Sequence, residues 1–141
     1  MYYKKIMGLD VGDKRIGIAM SDLLRFTAQG IETYNRADDE KDMAYIANMF
    51  KENDAEYIVC GLPKNMNGTV GPQAEKVMAF ADAISEKFGI RIVYVDERLT
   101  TVQAERMLIE ADVSRGKRRK VIDKLAAVNI LQSHLDSIRT F

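Results

Sequence analysis

GLDVGDKRIGIAMSD, residues 8–22, sets one acid, Asp10, at the end of an apolar run and beside a glycine-bearing turn. Ile6-Met7-Gly8-Leu9 reads as a buried strand, Gly12-Asp13 with Lys14 as a tight turn, and Arg15 to Met20 as a second strand folding back on the first. A carboxylate so placed is fixed by a sheet end rather than by a flexible loop. The plainer reading is an Asp that terminates a hairpin, a common role beside turns.

Phe26 to Tyr34 predicts a third strand, and the short connections make the three strands an antiparallel meander. From Asp38 the period changes to helical, with Met43, Ile46, Ala47 and Phe50 on one face and Asp38 or Asp39 as N-cap. A strand follows at Glu56 to Leu62. Gly71-Pro72 then opens a second helix with Val77, Phe80, Ala81, Ile84 and Phe88 on one face, and Gly89 ends it. Arg91 to Val95 predicts the fifth strand. Thr100 and Gln103 have capping-box spacing for a third helix through Ala111, and a fourth helix is expected from about Arg119 to Ile138. The order is βββαβαβαα, an α/β pattern: a five-stranded mixed sheet, three antiparallel strands then two parallel, flanked by helices. Val113 to Arg119 is expected to be a mobile connection. No repeat, low-complexity tract or linker divides residues 1–141, so a single domain is expected.

Composition narrows the chemistry. One cysteine, Cys60, lies inside an apolar run and one histidine, His134, stands far from it, so a zinc cluster or a Cys-His hydrolase is not expected. A basic-then-apolar leader after Met1 and an apolar run near the ~18 residues of a membrane span are both absent, so a cytoplasmic protein without membrane association is expected. Net charge is zero, but Arg115, Lys117, Arg118, Arg119 and Lys120 fall within six residues. A mildly acidic body thus carries one concentrated basic segment.

Chemistry must then rest on carboxylates. Asp10 ends the first strand, Glu97 follows the fifth, and Asp123 lies in the early turns of the last helix. If strands one, four and five run parallel, their C-terminal ends open on one edge of the sheet. Oxygen ligands without histidine or thiolate suit Mg²⁺ or Mn²⁺. Two such ions about 3.5–4 Å apart would activate a water and stabilise the leaving oxygen in phosphodiester cleavage. Each acid also has a bland role: a hairpin end for Asp10, and helix-dipole or surface pairing for Glu97 and Asp123. Their joint placement carries the inference.

DVGDKRIG at 10–17, GLPKNMNGTVG at 61–71, DERLTT at 96–101 and IDKLAAVNIL at 122–131 together resemble the YqgF (RuvX-like) family of ribonuclease H-fold proteins. The blocks span nearly the whole chain in order. The resemblance implies a ribonuclease H-like fold, with Asp10, Glu97 and Asp123 matching the family's acidic triad as catalytic residues and ligands of Mg²⁺ or Mn²⁺. Family members are described as Holliday junction resolvases and as nucleases that process the 5′ end of the small-subunit (16S) ribosomal RNA precursor. In many ribonuclease H-like nucleases the second acid sits on the fourth strand. Here that strand ends in Cys60-Gly61-Leu62-Pro63, so Glu97 must take its place.

Candidate substrate contacts surround these acids. In the loop from Gly61 to Gly71, Asn65 and Asn67 are placed to donate to phosphate or sugar and Lys64 to neutralise charge, although ordinary turn chemistry at Asn67-Gly68 explains the loop equally well. No Gly-Lys-Ser/Thr follows, which excludes a P-loop. Lys14 and Arg15 beside Asp10, Arg98 beside Glu97, and Arg118 and Arg119 before Asp123 add positive charge that would offset the acids' repulsion of a phosphate backbone. Asp123, Ala126, Ala127 and Ile130 share a helix face, and the small Ala126-Ala127 pair would let that helix approach the sheet. The expected function is metal-dependent cleavage of structured nucleic acid, with pre-rRNA or a ribosomal precursor particle as partner and a monomer or homodimer as the working form. Branched four-way DNA is the alternative substrate, and a non-catalytic RNA-binding or assembly factor the alternative of another class. An actin-like or sugar-kinase-like ATP cleft needs two lobes, more than 141 residues supply.

Overall fold

The structure, a computed structural model, describes residues 4–65, 67–96 and 115–139, and of residues 115–123 it describes the backbone. The strands are β1 (Lys5–Val11), β2 (Arg15–Ser21), β3 (Ala28–Asn35), β4 (Ala55–Leu62) and β5 (Ile92–Asp96). The described helices are α1 (Asp39–Glu52), α2 (Pro72–Phe88) and α3 (Arg115–Ile138). The sheet order is β3-β2-β1-β4-β5, with β1–β2 and β2–β3 antiparallel and β1–β4 and β4–β5 parallel. This is the five-stranded mixed sheet expected from the sequence.

β1 lies at the centre and is covered on both faces, which is why it reads as a continuous apolar run rather than an alternating one. Met7, Leu9 and Val11 join Ile16, Ile18, Ile58 and Cys60 in the core beneath α1 and α2. Ile6 joins Ala19, Tyr57 and Val59 beneath α3, whose Ala127, Ile130, Leu131 and Leu135 are fully buried. The approach of α3 is close at two places. A side chain at Gly8 would put its Cβ 2.8 Å from Leu131 Cβ and 3.1 Å from the Ala127 carbonyl oxygen. At Gly30 the Lys124 stem fills the same space, with Cγ 2.5 Å from where a Cβ would stand.

Helix ends follow local chemistry. Asp38 caps α1 by accepting from the Lys41 N–H at 2.9 Å. Gly89, at φ +67°, ends α2 and donates its N–H to the Ser85 carbonyl at 2.9 Å. Phe88, expected on the core face of α2, is exposed in its last turn.

Three expectations are corrected. β3 begins at Ala28 rather than Phe26, because Asp22 Oδ1 accepts from the Phe26 and Thr27 N–H groups at 2.8 and 2.9 Å and holds both in a turn. β5 covers Ile92–Asp96, one residue later than expected. Residues 115–119, expected to be part of a mobile connection, are helical. Arg and Lys are good helix formers, and the one glycine among them, Gly116, costs only about 1 kcal/mol relative to Ala. The helix expected at Thr100 to Ala111 lies outside the described residues.

Candidate active site

The parallel pairing of β1, β4 and β5 brings three strand ends to one edge of the sheet. Asp10 is half-buried on β1 at that edge, on the face covered by α3. Its cross-strand partner is Gly17 on β2, which in turn pairs with Thr33 on β3. On the other side β4 pairs with β1 through Leu9 and Cys60, so Gly61 comes next, and Gly61 pairs with Val95 on β5. Alternation puts Gly17, Asp10, Gly61 and Val95 on the same face. Asp10 is thus flanked on both neighbouring strands by residues without side chains. Glycine inside a strand often marks a place where a ligand or another backbone comes near.

α3 runs against β1. Gln132 Oε1 accepts from the Ala28 N–H at 2.9 Å, whereas Lys124 lies over Gly30, two residues further along β3. Toward its N-terminus the helix therefore advances to the end of β1 that carries Asp10. The backbone of residue 123 lies one turn before Ala127, the residue whose carbonyl touches Gly8. Arg118 and Arg119 lie on the first turns of the same helix. Glu97 and Arg98 lie outside the described residues. Among the described residues no group of three or more His, Cys, Asp or Glu side chains is gathered for a metal.

The β4–α2 loop leaves the same edge, and its asparagines fold it. The Asn65 N–H donates to the Thr69 carbonyl at 2.9 Å, and Asn65 Nδ2 donates to Thr69 Oγ1 at 3.1 Å. Asn67 Oδ1 accepts from the Thr69 N–H and hydroxyl at 3.1 and 2.6 Å. The Asn65 amide also packs against Gly71, where a Cβ would lie 2.8 Å from Oδ1. Lys64 is half-buried at the loop entrance, and its N–H donates to the Leu62 carbonyl. In the β1–β2 turn Lys14 is exposed, and Arg15 begins β2 half-buried.

Sequence reasoning missed the group that holds this turn. Arg36, just after β3, donates its backbone N–H to the Lys14 carbonyl and Nη1 to the Gly12 carbonyl, both at 2.9 Å. Its Nε donates to Asp42 Oδ2 at 2.9 Å, its Nη2 to Asp39 Oδ1 at 2.8 Å, and its guanidinium carbon stands 4.6 Å over the Phe80 ring. Asp42 is 1% exposed and also accepts from Tyr34 Oη and the Ala37 N–H. Burial opposes its charge, but the bonds from Arg36, Ala37 and Tyr34 overcome that cost and hold its carboxyl below the ordinary carboxylate range. An acid in the first turn of a helix reads as dipole chemistry, so no sequence signal marks Asp42 as buried. A cavity of about 330 Å³ lies behind this network, lined by Asp13, Arg36, Lys76 and Phe80, on the α1 and α2 side. It does not contain Asp10.

The chain is similar to named relatives and to solved structures. A Desulforamulus reducens protein named "Putative pre-16S rRNA nuclease" is 60% identical over 133 residues, spanning 94% of this chain and 97% of that one. A Clostridioides difficile protein of the same name is 58% identical over 132 residues, spanning 94% of each. Among solved structures, Thermus thermophilus RuvC in complex with a Holliday junction superposes with TM-score 0.60 at 11% identity, covering 96% of this chain and 95% of that one. The fowlpox virus Holliday junction resolvase superposes with TM-score 0.59 at 13% identity, covering 96% and 99%. At these identities the likeness shows the fold, which is ribonuclease H-like. With residues 4–137 also matched by the family model described as RuvX, Holliday junction resolvase, the chain belongs to the RuvX family.

Proposed function

We propose that this chain is a divalent-metal-dependent nuclease that hydrolyses phosphodiester bonds in structured RNA, with the 16S ribosomal RNA precursor as substrate. The observation that carries the reading is Asp10, fixed on the central strand where β1, β4 and β5 end together, with glycine on either side. The names of its relatives support the choice of RNA.

The donor set suits a hard cation. A carboxylate at a strand end, with the flanking side chains missing at Gly17 and Gly61, leaves room for an ion that keeps water and phosphate oxygens as further ligands. Asp10, Glu97 and Asp123 would hold Mg²⁺ or Mn²⁺. Bound there, the ion would supply Lewis-acid activation of water and neutralise charge on the phosphate. The protein's own contribution is position: Asp10 is held by two pairing strands, and Asp123 is carried on a helix that Gly8 allows close to β1. Lys14, Arg15, Lys64, Asn65, Asn67, Arg98, Arg118 and Arg119 would contact the sugar-phosphate backbone, positioning rather than reading sequence. Residues 1–141 would work as one domain, as a monomer or homodimer, on naked precursor or on a ribosomal precursor particle. A cytoplasmic location goes with that substrate, and no helix of the described residues is long and apolar enough to cross a membrane.

Incubation of purified protein with precursor rRNA and Mg²⁺ or Mn²⁺ should release a shortened 5′ end, and Asp10→Asn should abolish cleavage while leaving the circular dichroism spectrum unchanged. Wild-type activity in the variant would refute the assignment of Asp10. The fold shared with a resolvase seen in complex with a Holliday junction favours a second reading, in which junction DNA is cut and the two-fold substrate calls for a dimer. Matched RNA and junction substrates, with mass measured in parallel, separate the two. RNA binding with no metal-dependent turnover would instead identify an assembly factor.

A further inference from the structure

We propose that Arg36 is a positioning residue that locks the turn following Asp10 and thereby sets the carboxylate's place in the site; this rests on the nuclease reading above. The turn between β1 and β2 contains Gly12, two residues after Asp10. One internal bond closes it, from the Gly12 N–H to the Arg15 carbonyl at 2.8 Å. Arg36 adds two more from outside, one from its backbone to Lys14 and one from its guanidinium to Gly12.

The guanidinium is itself held by further contacts. Asp42 accepts from its Nε and Asp39 from its Nη2, and its central carbon stands 4.6 Å from the centre of the Phe80 ring. A planar fork that donates in three fixed directions is what Arg provides and Lys does not. Asp42 is in turn oriented by Tyr34 and by the Ala37 N–H, so the chain of contacts runs from the β3 end and the α1 start to the carbonyl two residues from Asp10. Burying such a pair contributes little net stability, because the desolvation of both charges offsets their attraction. Its consequence is a single geometry for the turn, on the face of the sheet opposite to the one that α3 covers.

The test compares wild type with Arg36→Lys, which keeps the charge and loses the fork. Hydrogen exchange at the Gly12 and Arg36 amides, which donate to the Arg15 and Lys14 carbonyls, should accelerate about tenfold, while the amide of Val59 in the middle of β4 keeps its wild-type rate. Cleavage of precursor RNA should lose about 10–100-fold in kcat with KM within about twofold, the signature of a misplaced group rather than of lost binding. A variant that is merely less stable would exchange faster at Val59 as well and keep its kcat per folded molecule, and that result overturns the proposal. Unchanged exchange across the turn overturns it too. If wild-type protein cuts no nucleic acid, the nuclease reading fails, and the exchange comparison still decides whether Arg36 holds the turn.

Discussion

On the face of the sheet beneath α3, two rows of residues lie side by side and put glycine to opposite uses. In the row of Ala19, Gly8 and Val59, the missing side chain at Gly8 is replaced by the helix, whose Leu131 and Ala127 fill the space. In the next row, Gly17 and Gly61 stand on either side of Asp10, and a charged group takes the centre. The first row is filled by packing, and the second is the one to which the proposed function assigns chemistry. They are two residues apart on one strand, so the position of the acid is as firm as the helix contact beside it.

Filling the second row should have the largest effect. Gly61→Val places a branched side chain beside Asp10, and cleavage of precursor RNA should fall about a hundredfold, ~2.7 kcal/mol of lost transition-state stabilisation, in protein that circular dichroism shows to be folded. Full activity would mean that the space beside Asp10 is not where substrate or ion enters. Overfilling the first row should act on stability. Gly8→Ala drives a methyl into Leu131 Cβ and the Ala127 backbone, a cost of about 1–3 kcal/mol, read as a lower urea midpoint with the m-value unchanged; an unshifted midpoint would show that α3 can back away from β1.

The smallest effect sharpens the contrast at the far end of the same face. There Tyr57 Oη and His134 Nε2 are 2.8 Å apart. Burial, and then the charges of Arg91 and Arg25, hold the His134 imidazole below its ordinary value of 6.5. As pH falls through 6.5 the unfolded chain takes up the proton first, which draws the equilibrium toward unfolding; above 6.5 both states are neutral and the effect vanishes. His134→Gln should therefore lose part of the fall in stability that wild type shows between pH 7 and pH 5. Parallel pH profiles for the two proteins would assign that fall to other groups.

Much of this was legible in the chain because the local signals agreed with one another. β1 reads as an unbroken apolar run since it is buried on both sides, and Asp38 and Gly89 mark helix ends through their own hydrogen bonding and backbone angle. The place of Asp10 at a strand end was legible for the same reason. Phe26 misled because an apolar residue after a strand resembles the next strand, whereas the Asp22 carboxylate captures its N–H first. The start of α3 was hidden because a run of Arg and Lys has no apolar period, although each has good helix propensity. Arg36 and Asp42 were not legible at all. Their pairing joins a strand end to a helix start through side chains, and neither alternation nor helical spacing registers such a contact. Glu97 and Asp123 remain proposals that rest on the family's motifs and, for Asp123, on the course of the helix backbone.

Lys124 crossing Gly30 also bears on how the molecule behaves in a crowd. β3 closes one side of the sheet, and Leu23, Leu24, Phe26 and Ile31 are exposed on or next to it. A strand open to pairing beside apolar side chains invites a second molecule to add to it and begin aggregating, and lysine at such a strand is a common deterrent. The Lys124 stem covers the face of β3 at Gly30, where the strand offers no side chain of its own, and so brings a lysine to the strand that closes the sheet.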